Sequence, residues 1–195
     1  IGLSNPGAPI PQAEIARFMQ LAHQLDGQER RKLDFLYRKS GIDFRHSVLD
    51  DFQKEEVAEF TFFPKNKELS PFPSTSARMN VFEAEAAGLA EQAVRNALQQ
   101  ANIEPASLTH LVLVSCTGMV APGVELELMR RLGMPSSVQR YCIHFMGFYA
   151  AFTGLRLADQ LVKANPESRV LVVSVELCTL HFQKEYNEDN LLANS

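Results

Sequence analysis

Ser137 to Ala158 reads SVQRYCIHFMGFYAAFTGLRLA, and the reading of this stretch decides the fold. The apolar run from Val138 to Ile143 predicts a strand, Met146-Gly147 a sharp turn, and the segment from about Phe148 a long helix. Gly147 is the pivot, because glycine accepts backbone angles that a side chain forbids. No charge occurs between Phe148 and Arg156, so the helix is expected to be buried nearly all round instead of amphipathic. A buried helix entered through a tight turn aims its first N–H groups and the positive end of its dipole at one spot. Such a spot suits an anion or a thiolate.

The flanking segments alternate between strand and helix. His110 to Cys116 (HLVLVSC) and Arg169 to Glu176 (RVLVVSVE) are continuous apolar runs, the mark of strands buried on both faces of a parallel sheet. Ala77 to Gln100 is an alanine-rich helix with Phe82, Ala86, Leu89, Ala93 and Ala97 on one face. Val124 to Leu132 is a short helix closed by Gly133. Towards the N-terminus, Ile1-Gly2-Leu3 reads as the tail of a strand that runs into a Pro/Gly-rich turn. Ile15, Phe18, Met19, Ala22 and Leu25 follow helical spacing. Asp26 with Glu29 resembles a capping pair opening a second helix, Gln28 to about Ser40. IDFRHSVL after Gly41 reads as a short strand, and residues 50–76 as an excursion over the surface. The tail from Gln183 is polar and compatible with helix. Alternating strands and helices predict an α/β fold with a mixed or parallel sheet.

Composition narrows the function classes. The chain has 195 residues, 46% hydrophobic and 22% charged, with net charge −4, enough apolar material for one domain's core. Mild acidity argues against a nucleic-acid surface, and no apolar run is long enough to span a bilayer. Cys116, Cys142 and Cys178 have neither disulfide-framework nor zinc spacing. An odd number of thiols in apolar surroundings fits a reducing cytoplasm. Both ends look cut: Asn194-Ser195 carries no capping or linker signal.

SVQR, then G-x-(Y/F)-A and LRLA, resembles the nucleophile segment of type III polyketide synthases, the chalcone synthase-like branch of the thiolase fold. TGMVAPG (Thr117 to Gly123) is similar to that family's S-G-x-x-x-P-G loop, and VELCTLHFQ (Val175 to Gln183) to its S/A-E-x-C-T/S-x-x-F run. The resemblance implies that residues 1–195 are a chalcone/stilbene synthase N-terminal domain, the first half of a thiolase-like fold, with the C-terminal half absent. It implies that Cys116, Thr117, Glu176, Cys178 and His181 line the cavity where the polyketide grows. Ala121 would lie near a dimer interface. Lys32 and Lys39 match two positions that hold the coenzyme A phosphates; Phe35 stands at a third, for which Arg38 could compensate. Acyl-coenzyme A and malonyl-coenzyme A are the implied substrates, with no separate cofactor, and a homodimer the implied assembly.

In that family the residue after the turn glycine is the catalytic cysteine, whereas this sequence has Phe148. A phenyl ring has no lone pair to attack a thioester and cannot be ionised by a helix dipole. The family's catalytic histidine and asparagine belong to the second half. A hydrocarbon at the reactive position, inside an otherwise typical segment, suggests an engineered change or a degenerate copy. Two functions follow: a condensing acyltransferase altered at its nucleophile, or a thiolase-fold binding or scaffolding homologue that no longer condenses. On composition alone, the three cysteines read as inert core residues. His144 and His181 read as structural, and the basic face around Lys32 and Lys39 as a solvated one. Cys142 sits mid-strand and is a poor substitute nucleophile. Glu176, closing so apolar a strand, is expected to accept buried hydrogen bonds.

Overall fold

The computed structural model describes all of residues 1–195, and the backbone divides into two units. The first comprises Asn5–Arg78 with Cys178–Ser195. It contains β1 (Ile10–Pro11), α1 (Gln12–Ala22), α2 (Gly27–Lys39) and β2 (Phe44–Arg45), with β1 antiparallel to β2. α1 buries Ile15, Phe18, Met19 and Ala22, as their spacing requires. Asp26 precedes α2, but its side chain makes no capping bond, so the expected capping pair does not form. α2 buries only Leu33 and Tyr37; the Tyr37 hydroxyl donates to the Asn194 carbonyl at 2.8 Å. A closing helix, Glu188–Asn194, is capped by Asn187, whose side chain accepts from the Asn190 N–H.

Residues 50–76 are not a surface excursion. Up to Ser74 they have no long helix or strand, yet Phe52, Phe60, Phe63 and Leu69 are buried. Phe18 and Phe52 approach to 4.5 Å between ring centroids, and Phe63 and Phe182 to 5.9 Å. Asp51 organises this irregular segment. Wholly buried, it accepts from the N–H groups of Thr61, Phe62 and Phe63 and from the Thr61 hydroxyl, at 2.7–3.0 Å. A carboxylate is tolerated inside a core only when its lone pairs are filled in this way. Periodicity is blind to a loop held by one side chain.

The second unit comprises Ile1–Ser4 with Met79–Leu177. Its elements are α3 (Thr75–Ala101, from Met79 onward), β3 (His110–Ser115), α4 (Val124–Leu132), β4 (Gln139–His144), α5 (Ala150–Ala164) and β5 (Val170–Ser174). The three strands form one parallel sheet in the order β4-β3-β5. Ile1–Leu3 is not a strand. It runs beside α3, where a Cβ on Gly2 would lie 1.9 Å from the Ala93 carbonyl oxygen. The face that α3 buries is Phe82, Ala86, Ala87, Ala90, Val94 and Leu98. Leu89, Ala93 and Ala97, expected on that face, are only half-buried.

All six residues of β3 are buried, as the apolar run predicts. β5 differs. It is an edge strand, and of its residues only Val173 is buried, so the expectation of burial on both faces fails there. β4, the other edge, is exposed or half-buried throughout. α5 lies on the face formed by Val112 and Val114. Gly154 permits the approach: a Cβ there would stand 3.1 Å from Val114 and 3.4 Å from Val172. α5 is not buried all round. Only Ala150 and Gly154 are buried, while Phe152 and Leu155 are 68% and 58% exposed. The uncharged composition therefore marks a surface that these residues do not themselves cover. α4 matches its predicted bounds and ends on Gly133 at φ 64°.

Close packing at Gly118 gives a test. A Cβ there would fall 2.2 Å from the Phe82 ring, so Gly118→Ala should cost roughly 1–3 kcal/mol by overpacking. Gly88, inside α3 with only Arg131 Nη1 at 3.8 Å, should gain about 0.5–1 kcal/mol on substitution by alanine. Urea midpoints of the two variants should move in opposite directions; equal shifts would contradict the packing described.

Candidate functional site

Because β3, β4 and β5 are parallel, their C-terminal ends meet at one edge of the sheet, where α/β folds hold ligands. Cys116-Thr117, Phe145 to Phe148, and Val175-Glu176 follow those ends. Glu176 ties two of them together. Its carboxylate accepts the Cys116 N–H at 2.8 and 3.1 Å and the Thr117 hydroxyl at 2.6 Å. The same hydroxyl accepts the Leu177 N–H at 2.8 Å. The third tip joins through the Cys116 thiol, which donates to the Gly147 carbonyl at 3.0 Å. Phe145 N–H donates to the Ser115 carbonyl at 3.3 Å.

The turn into α5 is tight. Phe145 and Gly147 both have positive φ, 56° and 70°. Gly147 is the natural occupant of such a conformation; Phe145 is a strained one. The first helical bonds run from Ala150 N–H to the Gly147 carbonyl and from Ala151 N–H to the Phe148 carbonyl, at 2.9 and 3.3 Å. The regular helix thus starts at Ala150, with Phe148 and Tyr149 in its entering turn. Phe148 is 65% exposed. The N–H groups of Gly147, Phe148 and Tyr149 precede these bonds and are not used by the helix itself, the arrangement that favours negative charge at a helix start.

Not all the residues expected at the site come together in one unit. Cys116, Thr117 and Glu176 do. Cys178 and His181 belong to the other unit, where they line a cleft of about 70 Å³ with Met19, Phe52 and Phe182. Lys32, Arg38 and Lys39 are exposed on α2 beside Phe35. Seven residues, two turns, separate Lys32 from Lys39, which places them on one face. Ala121 is exposed in the loop after Thr117. No cluster of His, Cys, Asp and Glu is arranged to hold a metal ion.

A charged group beside the body of β4 was not legible in the sequence. Glu125 of α4 is buried, has Arg140 of β4 at 3.7 Å, and leaves Oε2 without a hydrogen-bond partner. Cys142 is exposed as a residue, against the expectation of an inert core thiol, but desolvation at its sulfur and the charge of Glu125 push the thiol up to about 11, opposed by Arg140. Cys142 lies on the sheet face opposite Tyr141 and Ile143, which pack towards α5. The only sequence signal was the alternation along β4.

Comparison with known proteins bears on the whole chain. The family model "chalcone and stilbene synthases, N-terminal domain" matches residues 1–193. A probable polyketide synthase of Dictyostelium discoideum is 31% identical over 195 residues, all of this chain and 6% of that protein. An alpha-pyrone synthesis polyketide synthase-like protein of Mycobacterium tuberculosis is 33% identical over 158 residues, 80% of this chain and 38% of the other. The crystal structure of PKS-I from the brown alga Ectocarpus siliculosus superposes with a TM-score of 0.86 at 29% identity, over 99% of this chain and 51% of that one. The chain thus spans about half the length of that structure and less of the two curated relatives.

The raised Cys142 pKa has a direct readout. At pH 8 a thiol titrating near 11 is almost entirely protonated, and the thiolate is the species that alkylates. Iodoacetamide should label Cys142 far more slowly than an unperturbed cysteine, and Glu125→Gln should speed it by removing a negative charge. Labelling at the rate of free cysteine would contradict the geometry.

Proposed function

Because the chain belongs to the chalcone and stilbene synthase family and forms the N-terminal half of its thiolase-like fold, we propose that the whole protein is built as a type III polyketide synthase acyltransferase whose nucleophile position is occupied by Phe148. One observation carries this reading. Phe148 follows the turn glycine at the joined tips of the sheet and enters α5 at its N-terminal end. A thiolate at that place would attack the carbonyl of an acyl-coenzyme A, and the coenzyme A thiolate would leave. Malonyl-coenzyme A would then lose carbon dioxide, and the resulting carbanion would attack the enzyme-bound thioester, breaking its C–S bond and releasing the enzyme thiolate. Phe148 stops the sequence at its first bond, so this chain does not take up an acyl group.

The remaining residues take supporting roles. Glu176 and Thr117 hold the tips in register and wall the cavity with Cys116. The Cys116 thiol is directed at the Gly147 carbonyl and is no replacement for the nucleophile. Lys32 and Lys39, helped by Arg38, hold the coenzyme A phosphates at the entrance. The exposed apolar side of α5 is covered by the protein's second half, which brings the histidine and asparagine of the reaction, and two copies pair as a homodimer in the cytoplasm. The hydrocarbon at position 148 also supports a second reading, a homologue that binds coenzyme A thioesters as a scaffold without condensing them.

The two readings part on reversal of the substitution. In the protein with its second half, Phe148→Cys incubated with an acyl-coenzyme A should gain the acyl mass on residue 148 alone. Absence of an adduct would favour the scaffold. Exchanging Lys32 and Lys39 for glutamate should weaken coenzyme A binding about tenfold or more at low salt and less at high salt. Unchanged affinity would remove those lysines from the site.

A further inference from the structure

The unit formed by Asn5–Arg78 and Cys178–Ser195 holds a second cavity, of about 390 Å³, between the C-terminal half of α1, the first turn of α2 and the loops at Val57 and Lys67. That is the size of a small-molecule site. In a chain of net charge −4, its rim gathers three cations, Arg17, Arg30 and Lys67, against one acid, Glu56. The acid is engaged elsewhere: its side chain accepts the Glu59 N–H in a reciprocal cap.

None of the three cations has an ion-pair partner. Arg17 is the telling one. Three arginines of the chain are half-buried: Arg17, Arg45 and Arg78. Arg45 donates to Gln12 Oε1 and to the Ser195 carbonyl, and Arg78 to the Ser74 carbonyl and the Thr75 hydroxyl. Arg17 donates to nothing in the protein. Its guanidinium nitrogens are not among the buried unpartnered polar atoms, so the group is open to solvent and free to take an acceptor from outside. The nearby carbonyls at the end of α1 do not supply one. Those of Gln20 and Leu21 already accept from Leu25 and Gln24, at 2.9 and 3.0 Å. Gln24 Nε2 donates to the Lys67 carbonyl at 3.3 Å, holding that loop against α1.

We propose that this cavity binds a small organic phosphate. The phosphate would meet the two guanidinium groups and the Lys67 ammonium, which together offset its charge and, through arginine, engage its paired oxygens. The carbon portion would cover Leu21, Leu25 and Val57, the apolar part of the lining. The site is separate from the lysines assigned to coenzyme A. Lys32 lies two residues from Arg30, about 200° round the helix, and none of Lys32, Arg38 and Lys39 lines the cavity. Nor does it depend on acyl transfer.

The test is calorimetric titration of the protein with phenyl phosphate and with inorganic phosphate. Phenyl phosphate should bind saturably and more tightly than inorganic phosphate, and less well as salt rises. Arg17→Gln and Arg30→Gln should each weaken it about tenfold, the size of one lost charge-assisted bond, while Lys65→Gln, at an exposed lysine outside the cavity, leaves it unchanged. Phenyl phosphate should also raise the melting temperature of the unaltered protein and not that of the double variant. Arg30 is exposed, so Arg30→Gln alone gives the answer should Arg17→Gln fail to fold. No saturable binding, binding indifferent to Arg30→Gln, or binding lost with Lys65→Gln would each overturn the proposal.

Discussion

The Glu176 carboxylate is the contact on which the site's geometry depends. It receives the first N–H beyond β3 and the next residue's hydroxyl, so the exits of β3 and β5 cannot slide or splay independently. Hydrogen bonds to a charged acceptor contribute roughly 1.5–3 kcal/mol each, reduced here because Glu176 is only half-buried. Thr117 passes the constraint on by accepting from Leu177, and Cys116 passes it to β4 through the Gly147 carbonyl. Three loops that share only a sheet edge thereby become one rigid rim. The direction of the residue after Gly147 is a consequence of that rim.

How much of this was legible in the sequence follows from what a pattern can encode. β3 was readable because a central parallel strand must be apolar on both faces. α4 was readable because its apolar positions and its closing glycine agree. β5 has the same apolar run as β3 but stands at an edge, and hydrophobicity reports what a segment tolerates, not which neighbours this stretch of chain supplies. The same distinction explains α5, whose composition is that of a buried helix and whose Phe152 and Leu155 are exposed. Residues 50–76 failed for another reason: one aspartate fixes an irregular path, and no period accompanies it.

The site divides in a similar way. Cys116, Thr117 and Glu176 could be placed because each follows an apolar run at a fixed short offset, and parallel strands bring such offsets together. Cys178 and His181 come only a few residues later, yet they fall past the point where the chain leaves the sheet for the other unit. Glu125 was invisible, since one acid on a short helix reads as solvent-facing until β4 is seen to place Arg140 and Cys142 beside it. Phe145, Met146, Phe148, Tyr149 and Phe152 are all at least half exposed. Exposed apolar patches of this kind mark surfaces that meet another partner, which accords with a chain spanning about half of its structural relative.

The central claim is that the entering turn of α5 is built for a negative charge and now carries a hydrocarbon. The most direct measurement is the ionisation of the new thiol in Phe148→Cys, followed by thiolate absorbance against pH. Unused N–H groups and the helix dipole should hold it at about pH 7 or below, under the ordinary value near 8.5. A thiol titrating at 8.5 or higher would contradict the account, because the spot beyond Gly147 would then offer nothing to an anion.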